Sequence, residues 1–176
     1  MFLNAKYIDL IKTKSIYKKC FIGSGIDQYQ SNYIDAEQFF LSFWKIFELY
    51  ARSTKLNNQV PGDAFEIIFT FILEYEGVEI LSKDELVEGV DFVKPDFVVK
   101  KNYNFVSLKT SLRERWKQAD WESIKYKQVY GDSKCYLLTN HQAEYKSLKQ
   151  KISKLDIDGV FFSGSSDINL LIDKLK

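Results

Sequence analysis

Three charged side chains interrupt apolar runs of this chain: Asp96 in FVKPDFVV, Lys109 at the end of NFVSLK, and Glu122 in ADWESIK. An acid inside an apolar strand needs a partner, and a lysine closing a buried strand either snorkels to water or works. If the first two runs pair as adjacent strands, Asp96 and Lys109 come within reach of one water or ion. Twelve residues separate Asp96 from Lys109, and twelve more separate Lys109 from Glu122. The second interval contains a helix start, so Glu122 can face back toward the strand end about two turns along the helix. Two carboxylates converging on one point attract a hard divalent cation, typically Mg2+. A lysine beside them offsets charge and can hold an attacking water or the phosphate it attacks. These are the parts needed to hydrolyse a phosphodiester. Singly, each has an ordinary reading: an Asp after Pro is a turn or cap residue, and a Glu on a charged helix is solvated surface. Their joint spacing is what singles them out.

The elements that must position these residues are legible from periodicity. Residues 35–53 place Phe39, Phe40, Phe43, Trp44, Phe47 and Tyr50 at helical spacing, as a core-packing helix. Pro61-Gly62-Asp63 opens a second helix that Gly77 closes. Three β runs follow at 78–82, 91–100 and 104–110, the last two forming a hairpin around Lys101-Asn102. Residues 112–130 read as a helix capped by Gly131, 135–139 as a strand, 143–155 as a helix, 159–163 as a strand and 167–175 as a closing helix. The order α-α-β-β-β-α-β-α-β-α predicts an α/β fold, a mixed central sheet flanked by helices. The expected organisation is a single domain over 1–176. It comprises an N-terminal helical part (1–60, with a loop at GSG 23–25), a catalytic core (61–163) and a C-terminal helix (164–176).

Composition narrows the class. The chain has 176 residues, 45% of them hydrophobic and 16% aromatic, with 2 Pro, enough to build a core and too apolar for intrinsic disorder. Net charge is only +1, but it is unevenly placed. Residues 63–96 hold 10 acids and 2 bases (−8), whereas residues 97–130 hold 8 bases and 3 acids (+5). An acidic block running into a basic one suits a metal site beside a polyanion. Cys20 and Cys135 lack any CxxC spacing, so reduced thiols are expected and a zinc site is not. His141 is the only histidine, which leaves little for histidine-based catalysis. No apolar run is long enough for a membrane span and none of signal-peptide type opens the chain, so a cytoplasmic protein with no membrane partner is expected.

Residues 61–130 resemble the PD-(D/E)xK nuclease superfamily, the fold of many restriction endonucleases. The usual second acid, two residues before the lysine, is Ser107 here. The pattern PD…SxK followed 12 or 13 residues later by Glu is similar to the subgroup containing the EcoRII, SsoII and NgoMIV enzymes, whose targets contain CCGG, CCNGG or CCWGG. In that subgroup the late Glu takes the place of the missing acid. The resemblance implies a restriction-endonuclease-like core with Asp96 and Glu122 as ligands of Mg2+ and Lys109 as catalytic lysine. Ser107 marks the vacated position, and Glu66 supports the metal site from a helix. KTSLRERWKQ (109–118) looks like the segment leading into the subgroup's DNA-reading helix. Arg113, Glu114 and Arg115 would contact the outer C:G pairs there, while lysines such as Lys100, Lys117 and Lys125 are expected to meet DNA phosphates, which position without specifying. Arginine reads guanine O6 and N7, and an acid accepts from cytosine N4. The implied activity is that of a type II restriction enzyme cutting double-stranded DNA at a CC…GG-type site, acting as a homodimer on a two-fold target. Two other readings stand beside it: a less sequence-specific repair or defence nuclease of the same fold, and a non-catalytic DNA-binding module.

Overall fold

The structure, a computed structural model, describes residues 20–21, 24–26, 32–53, 60–81, 93 and 95–176. Most of the expected irregular opening, Ser82 and residues 91, 92 and 94 of the expected second strand lie outside them. The chain divides into two compact units, Met1–Gly77 and Val78–Lys176, a boundary that falls inside the 61–163 segment.

The described residues of the first unit include two long helices, α1 (Ala36–Ser53) and α2 (Val60–Tyr75). The Asp35 carboxylate caps α1 by accepting the Gln38 N–H at 2.8 Å. Phe39, Phe40, Phe43 and Phe47 form its buried stripe, as their spacing predicts, while Trp44 and Tyr50 are half-buried. Pro61 occupies the first turn of α2, where a missing N–H costs nothing. Gly77, at φ +69°, ends that segment in the left-handed conformation glycine tolerates. Phe40 meets Phe65 edge-on at 5.2 Å, joining the two helices. Cys20 is a buried free thiol.

The second unit is α/β. Its four strands, β1 (Phe97–Val98), β2 (Phe105–Lys109), β3 (Cys135–Thr139) and β4 (Gly159–Phe162), lie in that order in one mixed sheet. The β1–β2 pair is antiparallel, and β2–β3 and β3–β4 are parallel. Helix α3 (Arg115–Val129) crosses from β2 to β3, and α4 (Gln142–Lys149) with a 3-10 turn (Ile152–Lys154) crosses from β3 to β4. The chain closes with α5 (Asp167–Leu175), packed on β4. Ala119 of α3 and Tyr145 and Leu148 of α4 share a core with the paired residues Leu137 and Val160, so both crossover helices cover one face. Cys135 is buried and unpaired in the same unit.

Several boundaries differ from the sequence reading. The run 78–82 contributes no strand among the described residues, only a bridge from Ile80 to Val99, flanked by hydrogen bonds from Leu81 N to Val98 O and from Lys100 N to Glu79 O. Asp96 sits in a bend just before β1, not inside a strand. Pro95 brings no N–H to a ladder there, and the Asp96 side chain bonds the neighbouring backbone instead. Helix α3 starts at Arg115, three residues later than its periodicity suggests. The Glu144 carboxylate takes the N–H groups of Leu112 (2.5 Å) and Arg113 (3.2 Å), and Arg113 has φ +31°. Gly131 does not adopt the left-handed cap conformation; α3 ends at Tyr130, whose N–H bonds Tyr126 O. The helix expected over 143–155 breaks after Lys149 into the 3-10 turn.

Candidate active site

Strand period places Phe105, Ser107 and Lys109 on one face of β2. Because β2 and β3 are parallel, α3 must run back across that face between them. Its register is set by Tyr126, whose ring meets Phe105 edge-on at 4.9 Å. Four helix residues advance about 6 Å and two strand residues about 6.7 Å, so stepping from Tyr126 to Glu122 matches stepping from Phe105 to Ser107. In this register Glu122 comes level with Ser107, and Gln118 with Lys109.

Asp96 and Lys109 meet here, and both charges act on Glu122. Asp96 Oδ2 accepts from Leu108 N at 2.6 Å, with Ser107 Oγ and Lys109 Nζ each at 3.5 Å. Lys109 is 6% exposed and closes β2 with its ammonium paired to Asp96. An isolated buried ammonium would be costly, and Asp96 supplies its counter-charge. Glu122 is 3% exposed. Its Oε1 accepts from Gln118 Nε2 at 2.8 Å, while Oε2 is buried without a hydrogen-bond partner. Burial pushes the Glu122 carboxyl above the usual carboxylate range; the Gln118 amide and the Lys109 and Arg115 charges pull it back, and Asp96 adds to the rise. The three charged groups therefore share one electrostatic site.

Leaving a buried carboxylate oxygen unmatched costs on the order of 1–3 kcal/mol or more, so a proton or a cation suits that position. This orphaned oxygen, on a carboxyl that feels the Asp96 charge, has the chemistry a hard divalent ion takes. Among the described residues no three His, Cys, Asp or Glu side chains converge as a closed metal cage. Two carboxylates with room for substrate oxygens are the usual arrangement for Mg2+.

The other predicted residues are distributed differently. Arg113, Glu114 and Arg115 are exposed at the turn into α3, but they do not act as one triplet. Glu114 pairs with Lys117 one turn on. Arg115 stands seven residues before Glu122, on the same helix face, and its charge reaches that carboxyl. Arg113 is held through its backbone by Glu144. Lys100 and Lys125 are exposed, and Lys100 lies near Glu79. Glu66 belongs to α2 in the first unit, half-buried. His141 caps α4, its Nδ1 accepting the Glu144 N–H at 3.4 Å. Sequence reading missed Gln118, although its i, i+4 spacing to Glu122 was a usable signal. It also missed Glu144, which carries no local signal because its partners lie some thirty residues away.

No family model, curated protein or solved structure matches the chain. Among the described residues no helix is long and apolar enough to cross a membrane.

The raised Glu122 carboxyl has a measurable consequence for the metal-free protein. Its folded-state pKa lies above the unfolded value, so the folded protein binds more protons between the two. Stability therefore falls as pH rises through that window. Glu122→Gln removes the burden, so the variant should gain thermal stability over wild type above the window. The gain should fade as pH drops toward the ordinary carboxyl value of about 4. Melts of both proteins from acid to mildly alkaline pH check this; a pH-independent difference would contradict it.

Proposed function

We propose that the second unit carries the active site of a metal-dependent DNA endonuclease with a restriction-endonuclease-like core, a type II restriction enzyme cutting at a CC…GG-type site. The observation that carries this reading is the Asp96–Lys109 pair together with a buried Glu122 whose carboxyl feels both charges and whose Oε2 has no hydrogen-bond partner. A divalent ion, when bound, acidifies its water and neutralises charge gathering on the phosphate. Asp96 and Glu122 would hold that ion. The Lys109 ammonium, kept at the strand end by Asp96, is placed to steady the attacking water or a non-bridging phosphate oxygen as charge develops. Near-complete burial of Lys109 and Glu122 strengthens both interactions by excluding bulk water. A palindromic duplex suits a two-fold homodimer presenting two such sites.

Incubating supercoiled plasmid with the protein and Mg2+ tests the reading. Discrete fragments with ends mapping to CC…GG sequences are expected. Ends scattered over all sequences would favour the looser nuclease, and binding without cleavage would favour a DNA-binding module.

DNA reading should divide along the structural split of the triplet. A bidentate arginine–guanine pair discriminates by about 1–3 kcal/mol, whereas phosphate contacts position without specifying. Arg113→Ala should reduce preference for G:C pairs. Lys117→Ala and Lys125→Ala should weaken binding to every duplex and flatten its salt dependence. Arg115→Ala is expected to reduce cutting as well, since its charge bears on Glu122. Titrations on a CC…GG duplex and a scrambled duplex check this. Equal losses on both for Arg113→Ala would make that residue a phosphate contact only.

A further inference from the structure

We infer that Gln118 is a positioning residue that fixes the Glu122 carboxylate, holding Oε1 with its amide and leaving Oε2 for a hard cation. This rests on the nuclease-site reading above. An i, i+4 amide–carboxylate pair on a solvated helix face is commonplace and explains little. Here the acceptor is different. Glu122 is almost wholly buried, and the amide of Gln118, itself exposed, reaches in to one of its oxygens at 2.8 Å. Lys109, the cation with which Glu122 shares the site, is paired to Asp96 at 3.5 Å, so it leaves Oε2 unmatched. A carboxylate with both oxygens unheld could turn about its last torsion, which is broad for Glu. The amide removes that freedom and makes the two oxygens unequal. Groups that hold a ligating carboxylate in this manner typically matter about 10–100-fold in metal affinity.

The test is Mn2+ binding to the intact protein without DNA, followed by the loss of the free-ion electron paramagnetic resonance signal. Wild type, Glu122→Gln, Gln118→Leu and Gln118→His are compared, with circular dichroism confirming that each is folded. Wild type should bind, Glu122→Gln should not, and Gln118→Leu should bind about tenfold more weakly or worse. Gln118→His, which restores a neutral donor, should recover part of the affinity. A role confined to helix stability would leave Mn2+ affinity of the folded variants unchanged. Wild-type affinity in Gln118→Leu alongside loss in Glu122→Gln would overturn the inference and leave the nuclease reading standing. Equal binding, or none, in wild type and Glu122→Gln would overturn the reading itself and the inference with it.

Discussion

Lys109→Ala should slow DNA cleavage at least a hundredfold while leaving a folded protein. Removing one pre-aimed group that stabilises developing charge typically costs about 10²–10³-fold in rate, and among the described residues Lys109 is the buried cation paired to a candidate ligand. Asp96 needs a more careful substitution, because its Oδ2 also takes the Leu108 N–H. Asp96→Ala would lose that charge-assisted bond, worth about 1.5–3 kcal/mol, and confound activity with stability. Asp96→Asn keeps an acceptor for Leu108 and removes the charge that would hold the ion. Both Lys109→Ala and Asp96→Asn should therefore melt as cooperative folded proteins and cut plasmid at least a hundredfold more slowly than wild type. Wild-type cutting rates in both would place the chemistry elsewhere.

Glu122→Gln should have a comparable effect on cleavage and little effect on DNA affinity. The amide preserves size and the potential bond to Gln118 but removes the charge a hard cation requires. Less negative charge cannot weaken attraction to phosphates, so binding to duplex should hold or tighten slightly. The matching rescue follows from the register of α3 over β2. Ser107 is wholly buried, shares a strand face with Lys109 and has its hydroxyl 3.5 Å from Asp96 Oδ2. Ser107→Asp in the Glu122→Gln background puts a carboxylate back at that point from the strand side. Partial return of Mg2+-dependent cutting is expected in gel assays of the double variant. Glu122→Gln cutting at the wild-type rate would mean that this residue holds no ion.

The parts of the fold legible in the sequence are those decided by local pattern. Strand β3 and helix α5 begin and end where alternation and periodicity place them, because each is apolar on the side that meets the sheet core. The hairpin before α3 is legible for a similar reason: Lys101-Asn102 marks its turn, and Asn102 Oδ1 accepts the Asn104 N–H at 3.1 Å. What escaped was set by contacts distant in sequence. The late start of α3 depends on Glu144 capturing two backbone N–H groups from another crossover. The bend at Asp96 depends on a bond to Leu108 across the hairpin. Hairpin spacing anticipates that Asp96 meets Lys109, but no spacing tells that one oxygen of Glu122 is held by Gln118 and the other left unmatched.

The most direct measurement is anomalous diffraction from Mn2+-soaked crystals of the protein bound to a CC…GG duplex. A Mn2+ peak coordinated by the Asp96 carboxylate and Glu122 Oε2, with Lys109 Nζ near the scissile phosphate, is the predicted result. No peak at these carboxylates, or a peak held by other residues, would contradict the account.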